Sequence, residues 1–264
     1  MPPDLFFALT LIVKMAVTAG FVVAATVTAE RAGPLVGGLV ATLPLGAGPV
    51  YVFLALDHDS HFIADSAVAS LAMNAVNVFF ALHYALLAQK RSVGASLGIA
   101  FAVWVVLALS VRSLHWSFAA AAVLNVVVIA VCVVVARPLR HVRMPVFHAR
   151  WSDLAMRAVL VATLVGVVVT FSFQLGSLGS GILAVFPVIL ISIIYILHSR
   201  VGGKPAAAVL ANAPLGLVGF AFACSVLHFT AEPLGTPIGL ALALATSVTW
   251  SLLVLLARRH GIKV

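Results

Sequence analysis

Charge is what this chain has least of: Asp and Glu together number seven, charged residues make up 8% of the sequence, and apolar residues make up 64%. So little polar surface cannot clothe a soluble globule of 264 residues. Cysteine is nearly absent too. Cys132 and Cys224 each lie inside an apolar run, which reads as packing and not as a disulfide or a metal pair. No phosphate-binding glycine loop, no H-E-x-x-H pair and no G-x-S-x-G elbow is present, so ATP-driven and hydrolytic chemistry have no support and no cofactor is implied. Strand-like alternation is missing as well. The apolar runs reach about 20 residues, the helical length that crosses a bilayer. The chain therefore reads as an all-α integral membrane protein, not an enzyme.

Nine transmembrane helices are expected, at 5–28, 34–56, 62–88, 93–111, 117–136, 153–173, 177–198, 205–229 and 236–257. The first lacks a basic leader and carries Lys14, so it reads as a retained helix and not a cleaved signal. The formal charge of +8 raises nucleic acid as a partner, but the basic residues sit in short connections and form no patterned patch. With the N-terminus out and the C-terminus in, twelve loop cations fall inside and Arg112 alone falls outside. Topology thus accounts for the charge without nucleic acid. The expected location is a bacterial cytoplasmic (inner) membrane, with lipids as neighbours and association of copies left open.

Two stretches stand out from the others. Residues 31–56, RAGPLVGGLVATLPLGAGPVYVFLAL, combine five glycines with Pro34, Pro44 and Pro49. Proline removes a donor and clashes one turn back, so the second span should break near Pro44, Gly46 and Gly48. A second such stretch, GSLGSGILAVFPVILISIIYIL, begins at Gly176, 143 residues after Gly33, and has Pro187 in the place of Pro44. Residues 11–44 laid on 154–187 share eight identities in 34 columns, among them Gly33 on Gly176, Gly38 on Gly181 and Pro44 on Pro187, while Lys14 meets Arg157. Four spans, one linker span and four more would put the copies in opposite orientations. The expected organisation is repeat 1 at 1–112, a linker span with a basic loop at 113–152, and repeat 2 at 153–264, with helices 2 and 7 discontinuous. Inverted repeats with broken helices are the plan of many secondary transporters.

Each half resembles the small four-span GlpM-like bacterial membrane proteins. The resemblance rests on Lys14 with Gly38-Leu39 and Pro44, and on Arg157 with Gly181-Ile182 and Pro187; the second copy has Arg for Lys and Ile for Leu. It implies a duplicated relative of an inner-membrane family associated with exopolysaccharide production.

Candidate substrate-binding residues follow from cost. A charge inside hydrocarbon costs about 2.5–3.5 kcal/mol on insertion scales, so Lys14 and Arg157 need a reason. They either snorkel to the interface or form a pair of cations that, with half-helix N-termini, favours an anion. Thr42, Pro44, Gly46, Gly48, Ser180 and Pro187 lie at the expected breaks. Asn74, Asn77, Asn125 and Asn212 are amides in apolar runs, able to bridge helices or, for Asn74 and Asn212, to meet a solute. The sequence Asp57-His58-Asp59-Ser60-His61 with Asp65 has no metal-site spacing and reads as a solvated loop. The functional expectation is a transporter of a small anionic solute. The alternatives are a handler of lipid phosphates and a non-transporting assembly factor.

Overall fold

The computed structural model describes residues 3–31, 45–140 and 150–260. All regular structure there is helical: α1 (Pro3–Arg31), α2 (Ala47–Asp57), α3 (Ser60–Leu87), α4 (Val93–Arg112), α5 (Phe118–Ala136), α6 (Trp151–Ala184), α7 (Val188–Val201), α8 (Gly203–Leu234) and α9 (Thr236–Arg259), with one 3-10 turn at Arg137–Leu139. Seven helical stretches are long and apolar enough to cross a bilayer, which makes this a multi-pass membrane protein.

The nine separate spans expected are not what the described residues contain. Seven long stretches and the short α2 make eight, because α6 and α7 run together as one apolar stretch from Trp151 to Val201. No polar loop was needed to turn this chain. Gly176 does it alone, at φ 66° and ψ −177°, a conformation open essentially to glycine. Asp153 near the start of α6 meets Arg200 near the end of α7, so the chain folds back on itself in between. A second interruption follows at Val185, Phe186 and Pro187, where Pro187 starts α7 with its ring outside the helix. Of the other expected break, Thr42 and Pro44 lie outside the described residues. Leu45 and Gly46 form a turn, and α2 starts at Ala47.

Helix α3 is the centre of the bundle, and 78% of its most apolar window is buried, against 17% for α1, α5 and α9. Its burial follows from side-chain size: Ala64, Ala67, Ala72, Ala75, Ala81 and Ala85 let neighbouring backbones approach, and Phe80 and Tyr84 fill what remains. One such close approach is at Gly181 of α6, where an added Cβ would run into the Ser66 carbonyl oxygen. Hydrogen bonds fix the directions. Ser66 Oγ donates to the Ser177 carbonyl, Ser70 Oγ to Gly181 and Asn77 Nδ2 to Val185, so α3 runs parallel to the chain from Ser177 onward. Asn74 Nδ2 donates to the Leu217 carbonyl and His228 Nδ1 to that of Ala64, so α8 runs antiparallel to α3.

Candidate functional site

The start of α2 and the interruption between α6 and α7 lie against each other. A Cβ added to Gly46 would touch Ile189 Cγ1 at 3.7 Å, which places the beginning of α2 beside the first turn of α7. Next to this crossing is a cavity of about 450 Å³. Its walls are the Leu45–Ala47 turn, the Ala184–Pro187 interruption with the first half of α7, the middle of α8 and the end of α9. Helices α2 and α7 both begin here, at Ala47 and Val188, so this end of the cavity carries the positive ends of two helix dipoles, and at α7 the Val188 amide is spent on the Phe186 carbonyl. The remaining wall is apolar, interrupted by Asn77, Asn212, Trp250 and Ser251. Most polar atoms there are committed: Trp250 Nε1 donates to the Leu215 carbonyl, Ser251 Oγ to that of Ser247 and Asn212 Nδ2 to that of Ala208.

Of the residues read from the sequence, Gly46, Pro187 and Asn212 line this cavity. Gly48 lines a neighbouring groove of about 420 Å³ between α1, α2, α8 and α9. Ser180 is buried away from both and its Oγ reaches the Ser172 carbonyl at 3.5 Å. Asn74 is also fully buried, on Asn125 Oδ1 and the Leu217 carbonyl, and Asn125 in turn ties the otherwise lipid-facing α5 to the Leu71 carbonyl. Asn77, read only as a helix bridge, is the amide of α3 that reaches the wall. Its signal was the spacing Ser66, Ser70, Asn77, Tyr84. Steps of four and seven put these four on one face of α3, and each bonds the chain between Ser177 and His198.

The cations expected at a shared centre are elsewhere. Lys14 Nζ lies 2.6 Å from Asp57 Oδ2, with the Phe53 ring centroid at 5.8 Å. Asp57, read as a loop residue, is the last residue of α2, close enough in space for a long lysine side chain to reach. Arg157 is half-buried on α6 and is not part of either cavity wall. Asp153, one turn before Arg157, instead pairs with Arg200 at 2.5 Å. Asp57 and Arg200 are 143 residues apart, the offset read from the sequence, and carry opposite charges, Asp57 neutralised from α1 and Arg200 from α6. The two pairs sit at opposite ends of the bundle. Asp153 marks one end of α6, while Ser172, bonded at 2.8 Å to His58 beside Asp57, lies nineteen residues further along, roughly 28 Å of helix.

The stretch after α2 exposes Asp59, His61 and Asp65 and supplies the N-cap of α3, while His58 within it is packed. His58 stacks on Phe62 at 3.8 Å and its imidazole is held below its ordinary pKa, first by burial and then by Lys14, against the opposing pull of Asp57 and Asp59. Asp59 caps α3 through the Phe62 amide, and His61 pairs with Asp65 at 3.4 Å.

Geometry and composition thus define a multi-pass helical membrane protein with a largely apolar cavity where the start of α2 meets the interruption between α6 and α7. No family model, curated protein or solved structure matches the chain.

Proposed function

We propose that the protein is a secondary transporter of a small solute in a bacterial inner membrane, working by alternating access of two inverted repeats around the cavity beside Gly46 and Ile189. One observation carries this reading. Positions 143 apart, the offset of the repeat in the sequence, meet in space: Asn74 bonds the carbonyl of Leu217, and Gly46 packs on Ile189. In a duplicated chain, equivalent positions touch only near the axis that relates the copies. The cavity lies on that line, as a solute site in an inverted-repeat transporter does.

The solute would carry an electronegative or anionic group for the two helix N-termini and an apolar body for the rest of the wall. Lys14 and Arg157 then act at the ends of the bundle and not on the solute. A lipid-handling protein is the second reading. The groove beside the cavity shares Leu45 and Ala47 with it, and the hydroxyls of its two polar wall residues are bonded internally, Thr18 to the Lys14 carbonyl and Tyr51 to Ser70.

The test is a thermal-shift screen of purified protein against monocarboxylates, inorganic anions and lipid phosphates, followed by flux in proteoliposomes. A ligand at 100 times its Kd should stabilise the folded state by about 2.7 kcal/mol. Ala213→Phe, which fills the cavity, should abolish both the shift and the flux. An unchanged flux in that variant refutes the cavity as the pathway, and a response confined to lipid phosphates favours the second reading.

A further inference from the structure

A chain of hydrogen bonds runs from α4 to the interruption between α6 and α7. Trp104 Nε1 donates to Asn77 Oδ1 at 2.8 Å, and Asn77 Nδ2 donates to the Val185 carbonyl at 2.8 Å. Indole nitrogen is a donor only, so the order of the chain is dictated by chemistry. With the amide turned over, its NH2 would face the indole N–H and its oxygen would face the carbonyl, two repulsions in place of two bonds. Both side chains are almost entirely buried, so neither repulsion could be relieved by water. The indole ring also packs edge-on against Phe186, with centroids 5.1 Å apart. Helix α4 contributes nothing to the cavity wall, yet it holds the interruption by a ring and by an amide.

The consequence lies at the wall, where Asn77 and Val185 both appear. Carbonyls freed by the interruption have partners: Ser70 serves Gly181, and the Phe186 amide serves Leu183. With Asn77 on Val185, one more carbonyl is withdrawn from the wall; the Val188 amide is spent on the Phe186 carbonyl, and the first-turn amides beyond it, at Ile189 and Leu190, are the α7 donors that face a solute's electronegative group. Released from Asn77, the Val185 carbonyl would add an acceptor there and favour a cation.

We propose that Trp104 is a positioning residue: its N–H holds Asn77 in the one orientation that occupies the Val185 carbonyl, and thereby sets the cavity's preference for an electronegative group over a cation. The preference rests on the solute reading above; the positioning does not.

Two measurements separate them. In 15N-labelled protein in micelles, the Trp104 indole resonance, assigned by its loss in Trp104→Phe, should move and exchange faster with solvent in Asn77→Leu. An unmoved resonance overturns the positioning whatever else binds. Binding of benzoate and of benzylammonium, of similar shape and opposite charge, is then compared. Wild type should favour benzoate, and Trp104→Phe, which keeps a ring against Phe186, should narrow that preference by roughly tenfold, the equilibrium worth of one buried hydrogen bond. Trp104→Phe should add nothing on an Asn77→Leu background. The same narrowing on both backgrounds, or none on either, overturns the proposed route through Asn77. Wild type binding neither probe while the resonance responds removes the solute reading and the preference, and leaves the positioning of the interruption.

Discussion

Lys14 and Asp57 should lose stability unequally when either is replaced, and the inequality follows from where each would be left. The Lys14 side chain is 10% exposed and that of Asp57 27%, and they are 2.6 Å apart. Asp57→Asn strands an ammonium well inside α1 with only the Phe53 face for company. Removing one member of a buried pair costs 3–5 kcal/mol, and the lower end, about 3 kcal/mol, applies at this partly open site. Lys14→Met leaves a carboxylate at a helix end that water reaches, so its cost should be about 1 kcal/mol, as for partly exposed ion pairs. Lys14→Met combined with Asp57→Leu removes both charges and should return to within about 1 kcal/mol of wild type. Unfolding in mixed detergent micelles, followed by circular dichroism and extrapolated linearly, reads all three. Equal losses in the single variants, or a double variant as poor as Asp57→Asn, would refute the view that Asp57 neutralises a buried ammonium at this end of the bundle.

Other outcomes are as definite. Gly176→Ala should cost about 1–3 kcal/mol through its backbone conformation alone, because an added Cβ there meets nothing, whereas Gly48→Ala should be nearly neutral. Gly181→Val should be worse than either, since it forces α6 off the Ser66 carbonyl, and loss of a native-like melting transition is the readout. Because the folded state holds His58 below its ordinary value near 6.5, its contribution is complete above that pH and is lost as the pH falls through the lowered value. Melting temperature should therefore drop on acidification from pH 7 more in wild type than in His58→Gln; parallel curves would contradict this.

The parts of this architecture that could be read in advance were those written in rare residues. Proline and glycine in an apolar run announce a broken helix, and they did so at Pro187; of the other expected break, the described residues show only that α2 starts after Gly46. The common offset of the two stretches, 143 residues, is also the separation of Asn74 and Leu217, which meet in space. Charge was harder. Nothing local ties Lys14 to a carboxylate 43 residues away, and Asp57 beside His58 and Asp59 has the composition of a loop. Arg200 counted only among the loop cations and Asp153 had no assigned role, because the fold-back at Gly176 that joins them needs no polar turn. Asn77 was legible as a helix bridge, which its bonds to Trp104 and Val185 make it, but its place on the cavity wall was not. Serine and tyrosine cost little in an apolar helix, so the stripe it shares with Ser66, Ser70 and Tyr84 became visible only through what it bonds.

Opposite insertion of the two halves is the claim on which the cavity, the paired interruptions and the transport reading all depend. His61 and Lys204 are 143 residues apart and both exposed, so they are equivalent positions of the two copies. The direct measurement is labelling of His61→Cys and Lys204→Cys, each in a background with Cys132 and Cys224 replaced by Ala, using a membrane-impermeant thiol reagent on intact cells and on inverted vesicles. His61→Cys should react only in cells and Lys204→Cys only in inverted vesicles. Reaction of both from the same side would contradict the inverted duplication and, with it, a solute pathway between its halves.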